Sequence, residues 1–382
     1  MANTITNLIP TLYDAIDIVS RELVGFIPAC FRNSSAERAA LNETIRYPIV
    51  PAATTGDITP GTTAPDDGDQ TIGTGTLTIT KSKYSPVRWT GEEAKTLGNN
   101  GMVNPILRDQ FAQSMRALVN LIEVDLWNAA YQGASRAYGT AGTAPFGTAN
   151  DLTDGAQIRK ILEDNGCPTG DMHLVLGSAA MANIRGKQTV LFKVNESGTA
   201  ELLRAGTIGE LQGFQLHNSY PIAQVTKGTG SAYVTSGSTA VGVNTIALVT
   251  GSGTVLAGDV VTFAADANNK YVVNVGVAAP GTITIGAPGA RVTIGTANAM
   301  TIGNSYTPNL AFGRHALHLV TRAPAMPEGG DDADDVMEIT DPMSNITFQI
   351  AVYRQYRRVK YEVGIAWGVG AVKPEHIATL MG

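Results

Sequence analysis

Residues 104–131 read NPILRDQFAQSMRALVNLIEVDLWNAAY, and this stretch decides the fold. Phe111, Met115, Leu118, Ile122 and Leu126 recur three or four apart and form one helical stripe. Arg108, Gln113, Arg116, Asn120 and Asp125 lie largely off it. Asn104 can cap the helix start, and Pro105 suits a first turn that needs no amide donor. At a rise of 1.5 Å per residue such a helix is roughly 40 Å long, a strut rather than an ordinary domain helix.

Working outward, Leu8, Leu12, Ile16, Val19 and Leu23 predict a helix over 7–25. Residues 47–80 include PAATTGDITPGTTAPDDGDQ, a Pro-, Gly- and Thr-rich run that cannot bury a core and predicts a long projecting loop. Its end, GTLTITKSKY, alternates as a strand does and leads into PVRWTGEEAK. Beyond the long helix, 151–225 predicts mixed α/β structure: a helix near Gly155–Asn165 stopped by Gly166, a strand at His173–Leu176, and a short helix capped by Ser178. AGTIGELQGFQLHNSYPI then predicts a turn and a strand.

Composition shifts most sharply over 226–308, where Lys227, Asp259, Asp266, Lys270 and Arg291 are the only charged residues. The runs TIALVT, DVVTFAA, KYVVNVGV, GTITIG and ARVTIG alternate with turn residues, which predicts a separate all-β module, barrel-like because closure hides its edges. No fixed period links its TIG triplets, so it is not a solenoid. The mixed pattern resumes at NLAFGRHALHLVTRAP, followed by the acidic GGDDADD loop. Two long strands, VMEIT and ITFQIAVYRQYRRVKYEV, are joined at DPMSN. The β-rich module therefore interrupts a domain whose parts lie on both sides of it.

The 382 residues, 43% of them hydrophobic, are enough for two or three packed units. Gly and Pro (42 and 18) favour turns and loops over a helical bundle. A formal net charge of −6 argues against nucleic-acid binding as the main business. No run approaches the ~18 apolar residues of a membrane span, and the N-terminus lacks the basic start of a signal peptide. A soluble cytoplasmic product with two idle thiols, Cys30 and Cys167, is expected; the cysteines show no clustering with His in the sequence.

Chemistry is hard to find. There is no phosphate loop and no nucleophile elbow, and Gly251–Gly253 sits between β-runs rather than opening a helix. His315 and His318 could share a helical face, yet a metal wants a third ligand, so they read as structural histidines. Asp331, Asp332, Asp334 and Asp335 lack the spacing of a calcium loop and read as solvated surface. Arg354, Arg357, Arg358 and Lys360, interleaved with Tyr353, Tyr356 and Tyr361, have a texture that can hold nucleic acid; the plainer reading is a cationic strand that meets acids on a neighbouring chain. Catalytic, cofactor and metal sites are accordingly expected to be none. Asn33, Asn42, Asn195 and Asn345 begin glycosylation triplets that mean nothing without secretion.

The order of these segments resembles the major capsid (coat) proteins of tailed bacteriophages, an α+β fold of the tailed-phage/herpesvirus type, and most closely the short-tailed (podovirus) coat proteins that carry an inserted β-barrel domain. PVRWTGEEAKTLG, GTIGELQGFQLHNSYPIAQVTKGT, NLAFGRHALHLVTRAPAMPEG and the closing DPMSNITFQIAVYRQYRRVKYEVGIAWGVGAVKPEHIATL carry the likeness over nearly the whole chain. It implies an N-terminal arm at 1–35 and an extended loop at 48–90. It also implies a peripheral domain from 91–150 and 336–364 with the spine helix 104–131. An axial domain would come from 151–225, 309–325 and 366–382, and the inserted domain from 226–308, which is poor in charge for such a role.

The implied function is non-enzymatic: an icosahedral shell around double-stranded DNA, built through a scaffold-assisted procapsid that expands on packaging. Implied partners are further copies of the chain in hexamers and pentamers, a scaffolding protein, a portal protein and a decoration protein, with DNA touched only weakly, no membrane and no cofactor. The implied location is the virion, after assembly in the host bacterial cytoplasm. The alternative is a β-rich decoration protein or adhesin that binds carbohydrate, although Tyr233, Phe263, Tyr271 and Tyr306 are the only aromatic side chains of 226–308.

Overall fold

The computed structural model describes residues 22–51, 53–58, 60–61, 68–98, 103–188, 191, 208–342 and 344–382. Of the helix expected over 7–25, residues 7–21 lie outside these, and 22–25 are not helical. One turn of helix, α1 (Phe26–Ala29), leads instead into strand β1 (Phe31–Ala39), so the arm expected at 1–35 ends inside a sheet. Strands β2 (Thr44–Ile49) and β3 (Gly73–Thr78) pair antiparallel as an isolated hairpin. Strand β4 (Lys81–Thr90) then joins a larger sheet, so the loop expected over 48–90 is a hairpin from 44 to 78 followed by a sheet strand. That strand tolerates Pro86 because it pairs on one side only, with a single neighbour.

Helix α2 (Gly91–Gly98) starts with a capping box: the Thr90 amide donates to Glu93 (2.8 Å) and the Glu93 amide to the Thr90 hydroxyl (3.3 Å). The long helix α3 spans Val103–Gln132, 30 residues or about 45 Å, beginning one residue before the expected cap Asn104, whose side chain lies outside the described residues. Met115, Leu118, Ile122 and Leu126 of its stripe are buried, and Phe111 meets Tyr361 edge-on at 5.3 Å. Strand β5 (Arg136–Gly139) follows.

Next come α4 (Thr153–Asp164), β6 (Met172–Leu176), α5 (Ser178–Lys187), β7 (Glu210–Leu211) and β8 (Phe214–Asn218). Gly166 takes φ +76° after α4, as its stop position requires. Ser178 is the first residue of α5 rather than its cap, which is Gly177. Residues 226–308 give β9 (Val234–Thr235), β10 (Thr245–Val249), β11 (Val260–Phe263), β12 (Asp266–Val275), β13 (Thr282–Ile285) and β14 (Met300–Ile302). ARVTIG contributes only one bridge, Thr239 to Ile294.

The chain closes with β15 (Pro308–Gly313), a 3-10 turn at Arg314–Ala316, β16 (Leu317–Pro324), β17 (Asp335–Thr340), β18 (Thr347–Gln355), β19 (Arg358–Ala371), a 3-10 turn at Pro374–His376 and β20 (Ile377–Met381). The single strand expected over 346–363 is thus a hairpin. Its turn, at Tyr356–Arg357 with Arg357 at φ +54°, has none of the Gly, Asn or Pro that signal turns.

One sheet orders as β1-β16-β19-β18-β17, with β4 beside β19. The other runs β7-β8-β6-β15-β20-β5-β12-β13-β10-β9, with β11 and β14 attached through β12. Residues 309–325 and 366–382, expected to lie together in one axial unit, are shared between the sheets. β15 and β20 belong to the second, whereas β16 and the end of β19 belong to the first, because the 3-10 turns carry the chain across.

Three cores result. Helix α3 covers the first sheet, with Leu126, Phe348, Ile365 and Trp367 at the centre. Helices α4 and α5 cover β6, β15 and β20. The third core, from Tyr233 to Met300, belongs wholly to the β-rich segment. There β9, β10, β13, β12, β11 and β14 follow one another, and the circuit closes where Val234 bridges Ala299 and the Met300 amide donates to Tyr233 (2.9 Å). The segment is not separate as expected: β12 pairs with β5, Lys270 opposite Ala137.

Candidate functional site

The features that suit a ligand or partner lie on projections, edges and one inter-sheet junction. The β2–β3 hairpin is anchored at its foot, where the Asn42 amide donates to the Ile79 carbonyl and the Ile79 amide to the Glu43 carbonyl (both 2.9 Å) and Thr80 donates to Trp367 (3.1 Å), while Tyr47 reaches the His318 ring at 6.2 Å. Ala39, Ile79 and Ala366 are buried there. Further out the hairpin carries no core, and its apolar side chains face solvent: Ile49, Val50, Ile72 and, at 98% exposure, Ile58. A two-stranded hairpin is marginal on its own, and exposed aliphatics of this kind suit contact with another molecule.

The N-terminal segment is held differently. Glu123, on the buried side of α3, accepts the amides of Gly25 (2.5 Å), Phe26 (2.7 Å) and Ile27 (3.0 Å) and the Ser219 hydroxyl (2.5 Å). Burial raises its pKa, while Ser219 and the amides pull the other way. It thereby satisfies the free amides at the start of α1. Just before that stretch, Glu22 pairs with Arg116, about two turns earlier on α3 than Glu123 (Nε–Oε2 2.6 Å), and that guanidinium holds the Glu22 pKa down at about 2. Sequence reading passed over Glu123; its signal was a carboxylate beside Ile122 on the face otherwise destined for burial.

The acidic and basic runs meet at one corner. Asp331 accepts the Tyr353 hydroxyl, and Asp334 accepts the Arg354 amide (2.7 Å). The carboxylates thus cap the β17–β18 edge rather than converge as a calcium site would. Beyond them the β18–β19 turn projects Tyr356, 86% exposed, with Arg357 stacked on it at 5.6 Å. Lys360 is withdrawn from that tip: it pairs with Glu362 (2.6 Å) over the Tyr84 and Tyr353 rings.

The β-rich segment offers no aromatic platform, since Tyr233, Phe263, Tyr271 and Tyr306 are all buried. Its acids are internal too: Asp259 accepts the Leu256 and Gly228 amides, and Asp266 the Tyr271 hydroxyl. Gly251 and Gly253, at φ +78° and +85°, let the backbone approach Ser231 and Thr229 to close the strand circuit. An open polar cleft of about 830 Å³ lies beside β5 and β20, but its chemistry is committed to structure: Asp154 takes the Phe146 amide (2.7 Å) and Lys270 donates to Gly139 (2.5 Å).

His315 and His318 do not share a helical face. His318 bonds the His315 carbonyl (3.1 Å) and packs on Phe31, whereas the His315 ring turns to His376 (2.6 Å) and Cys167. The clustering of cysteine with histidine that the sequence lacks is therefore present in the fold, because residues 148 and 209 positions apart are brought together at one junction.

No family model matches the chain, and no curated protein matches it in sequence. Among solved structures, the capsid structure of the cyanophage P-SCSP1u superposes with a TM-score of 0.52 at 13% identity, over 95% of this chain and 89% of that one. A Mycobacterium phage Che8 chain gives 0.49 at 14% identity (94% and 92%), and the mature capsid of bacteriophage PhiM1 gives 0.45 at 11% (93% and 86%). The first likeness establishes the fold alone: a mixed α+β fold, long helix included, shared with a cyanophage capsid chain.

Proposed function

We propose that this chain is the major capsid protein of a tailed bacteriophage: a structural, non-enzymatic subunit that self-assembles into the icosahedral shell around double-stranded DNA. It is made in the host bacterial cytoplasm and resides in the virion. The observation that carries the reading is the β2–β3 hairpin, a long arm with Ile49, Val50, Ile58 and Ile72 in solvent, on a fold shared with a cyanophage capsid over 95% of the chain. An arm of this kind gains stability only by lying on a neighbour, at about 1.5–3 kcal/mol for each large aliphatic it buries there. Head-to-tail contacts that close by rotation give the hexamers and pentamers of a shell.

On this reading 1–35 is the N-terminal arm and 48–90 the extended loop, built on the hairpin 44–78, its last residues joining the peripheral sheet as β4. The peripheral domain is α3 with β4 and β16–β19, the axial domain is α4 to β8 with β15 and β20, and 226–308 is the inserted barrel-like domain of the short-tailed phage type. Assembly proceeds through a procapsid with a scaffolding protein and a portal, with room for a decoration protein, and expands as DNA enters. The exposed Arg357 and Arg358 at the β18–β19 turn meet the acidic run of an adjacent subunit, and DNA is touched only weakly by a chain of net charge −6. The buried aromatics of 226–308 remove the support for a carbohydrate-binding reading.

Negative-stain microscopy of the protein expressed alone and with a candidate scaffolding protein tests the assignment. Closed uniform shells or capsomer sheets are expected. A strictly monomeric protein under both conditions, at high concentration and varied salt, would overturn it.

A further inference from the structure

All five histidines of the chain lie around one short turn, Arg314–Ala316. On one side His173 faces His217 (3.0 Å) and Asp171 (2.9 Å), with the Arg314 guanidinium donating to the same ring (3.3 Å). That pair has a fixed cation beside it and no sulfur. On the other side His315 Nε2 stands 2.6 Å from His376 Nδ1, and one ligand atom from each of Cys167, His315 and His376 lies within 4.8 Å of the others. Cys167 is buried and the two rings are half-buried.

We propose that Cys167, His315 and His376 form a binding site for a thiophilic divalent cation of the zinc type. One thiolate and two imidazoles are the donors such an ion takes, and a fourth, open position completes a tetrahedron. In a tetrahedron with metal–nitrogen bonds of about 2.0–2.1 Å the two ring nitrogens sit roughly 3.3 Å apart, so the His315–His376 contact opens by about 0.7 Å to admit the ion. On binding, the Cys167 S–H bond breaks and its proton leaves to solvent; the ring that donates the N–H between His315 and His376 carries that proton on its other nitrogen instead, so both facing nitrogens offer lone pairs.

The surroundings support each ligand. The Cys167 thiol donates to the Pro168 carbonyl (3.7 Å), and the Asn165 side chain braces the turn that carries His376 by donating to the Glu375 carbonyl (2.7 Å). Gly313 also leaves the space. A Cβ built there would stand 2.6 Å from the His315 ring and 3.0 Å from the Cys167 sulfur, although its backbone, φ −77°, would accept any residue. Lys373, the nearby cation, is paired with Glu375 (3.5 Å).

The position gives the site a purpose. His315 and His376 sit in the two 3-10 turns by which the chain crosses between its sheets, β15 to β16 and β19 to β20. Cys167 follows α4, so the ion would bolt both crossings to the helical layer of the second sheet and stiffen the junction.

Titration of the purified full-length chain with Co²⁺, then Zn²⁺, tests the site. One equivalent of Co²⁺ should bind with a thiolate-to-cobalt charge-transfer band that Zn²⁺ abolishes, and saturating Zn²⁺ should raise Tm. Cys167→Ser should remove the band and weaken Zn²⁺ binding by about 100-fold or more, while Cys30→Ala, whose thiol is not one of the three ligands, keeps both. Zinc-edge absorption on the unmutated chain serves if the variant does not fold, with a sulfur neighbour at about 2.3 Å expected. A Co²⁺ complex without the thiolate band, Zn²⁺ binding unchanged in Cys167→Ser, or a zinc shell of nitrogen and oxygen only would overturn the proposal.

Discussion

Residues 44–78 and 226–308 are both rich in Gly and Thr and both fold as β-strands, yet they end in opposite states. The hairpin leaves Ile49, Val50, Ile58 and Ile72 in solvent, whereas the longer segment buries Ile246, Leu248, Val273, Ile283 and Ile285. The difference is closure. Six strands that return to Val234 and Ala299 enclose an interior, and two strands have none. A segment with its own core is stable as part of its own chain; one without it borrows a surface. The N-terminal segment is a second borrower, but it leans on α3 of the same molecule.

The comparison breaks most completely if the arm proves dispensable. Deletion of 55–70 should leave a folded protein, with Tm and far-UV circular dichroism close to those of the full chain, and should abolish closed shells in the microscope. Shells of normal yield would mean that the outer part of the hairpin, Ile58 included, serves no neighbour.

Excision of 226–308 tests the closed segment. Val225 and Tyr306 already bridge each other (2.8 Å), so a short linker joins the ends without strain. The remainder loses β12 beside β5, and Val260, Val272 and Tyr306 from the core under α3. A soluble core with a clearly lower Tm is expected; complete loss of soluble protein would show that the closed segment is part of the body rather than an addition to it.

The same contrast explains what was legible in the sequence. The stripe from Phe111 to Leu126 announced α3, because a period of 3.6 needs no knowledge of partners. The charge-poor run and its turns announced strands over 226–308. Whether they stood apart was not legible: the β5–β12 pairing depends on Ala137 and Lys270 meeting across 133 residues. Nor was the Tyr356–Arg357 turn, which lacks turn residues, or the split of β15 and β16 between sheets, which the 3-10 turn decides. Glu123 and the Cys167–His315–His376 group were missed for a common reason: each acts through residues brought together from distant parts of the chain.

For the borrower inside the molecule, Glu123→Ala sharpens the contrast. It strands the buried amides of Gly25, Phe26 and Ile27, each lost acceptor costing about 1–3 kcal/mol, so a loss of about 3 kcal/mol or more is expected in denaturant unfolding. The first residues from 22 to 30 should become protease-sensitive before the rest. An effect below about 1 kcal/mol would mean that α1 holds its place by packing alone.

The smallest effect is at the surface end of the same segment. The Arg116 guanidinium lowers the Glu22 pKa from an ordinary 4.5 to about 2, so the folded state holds this proton less readily than the unfolded chain does. The pair's contribution is therefore fully present above about pH 4.5 and is lost as pH falls from there towards 2. Both partners are partly exposed, so the gain is small and falls with salt. Arg116→Gln should leave Tm nearly unchanged at low pH, lower it slightly at neutral pH, and shrink the gap further in high salt. A gap independent of both pH and salt would assign Arg116 to packing along α3, and the N-terminal segment would then depend on Glu123 alone.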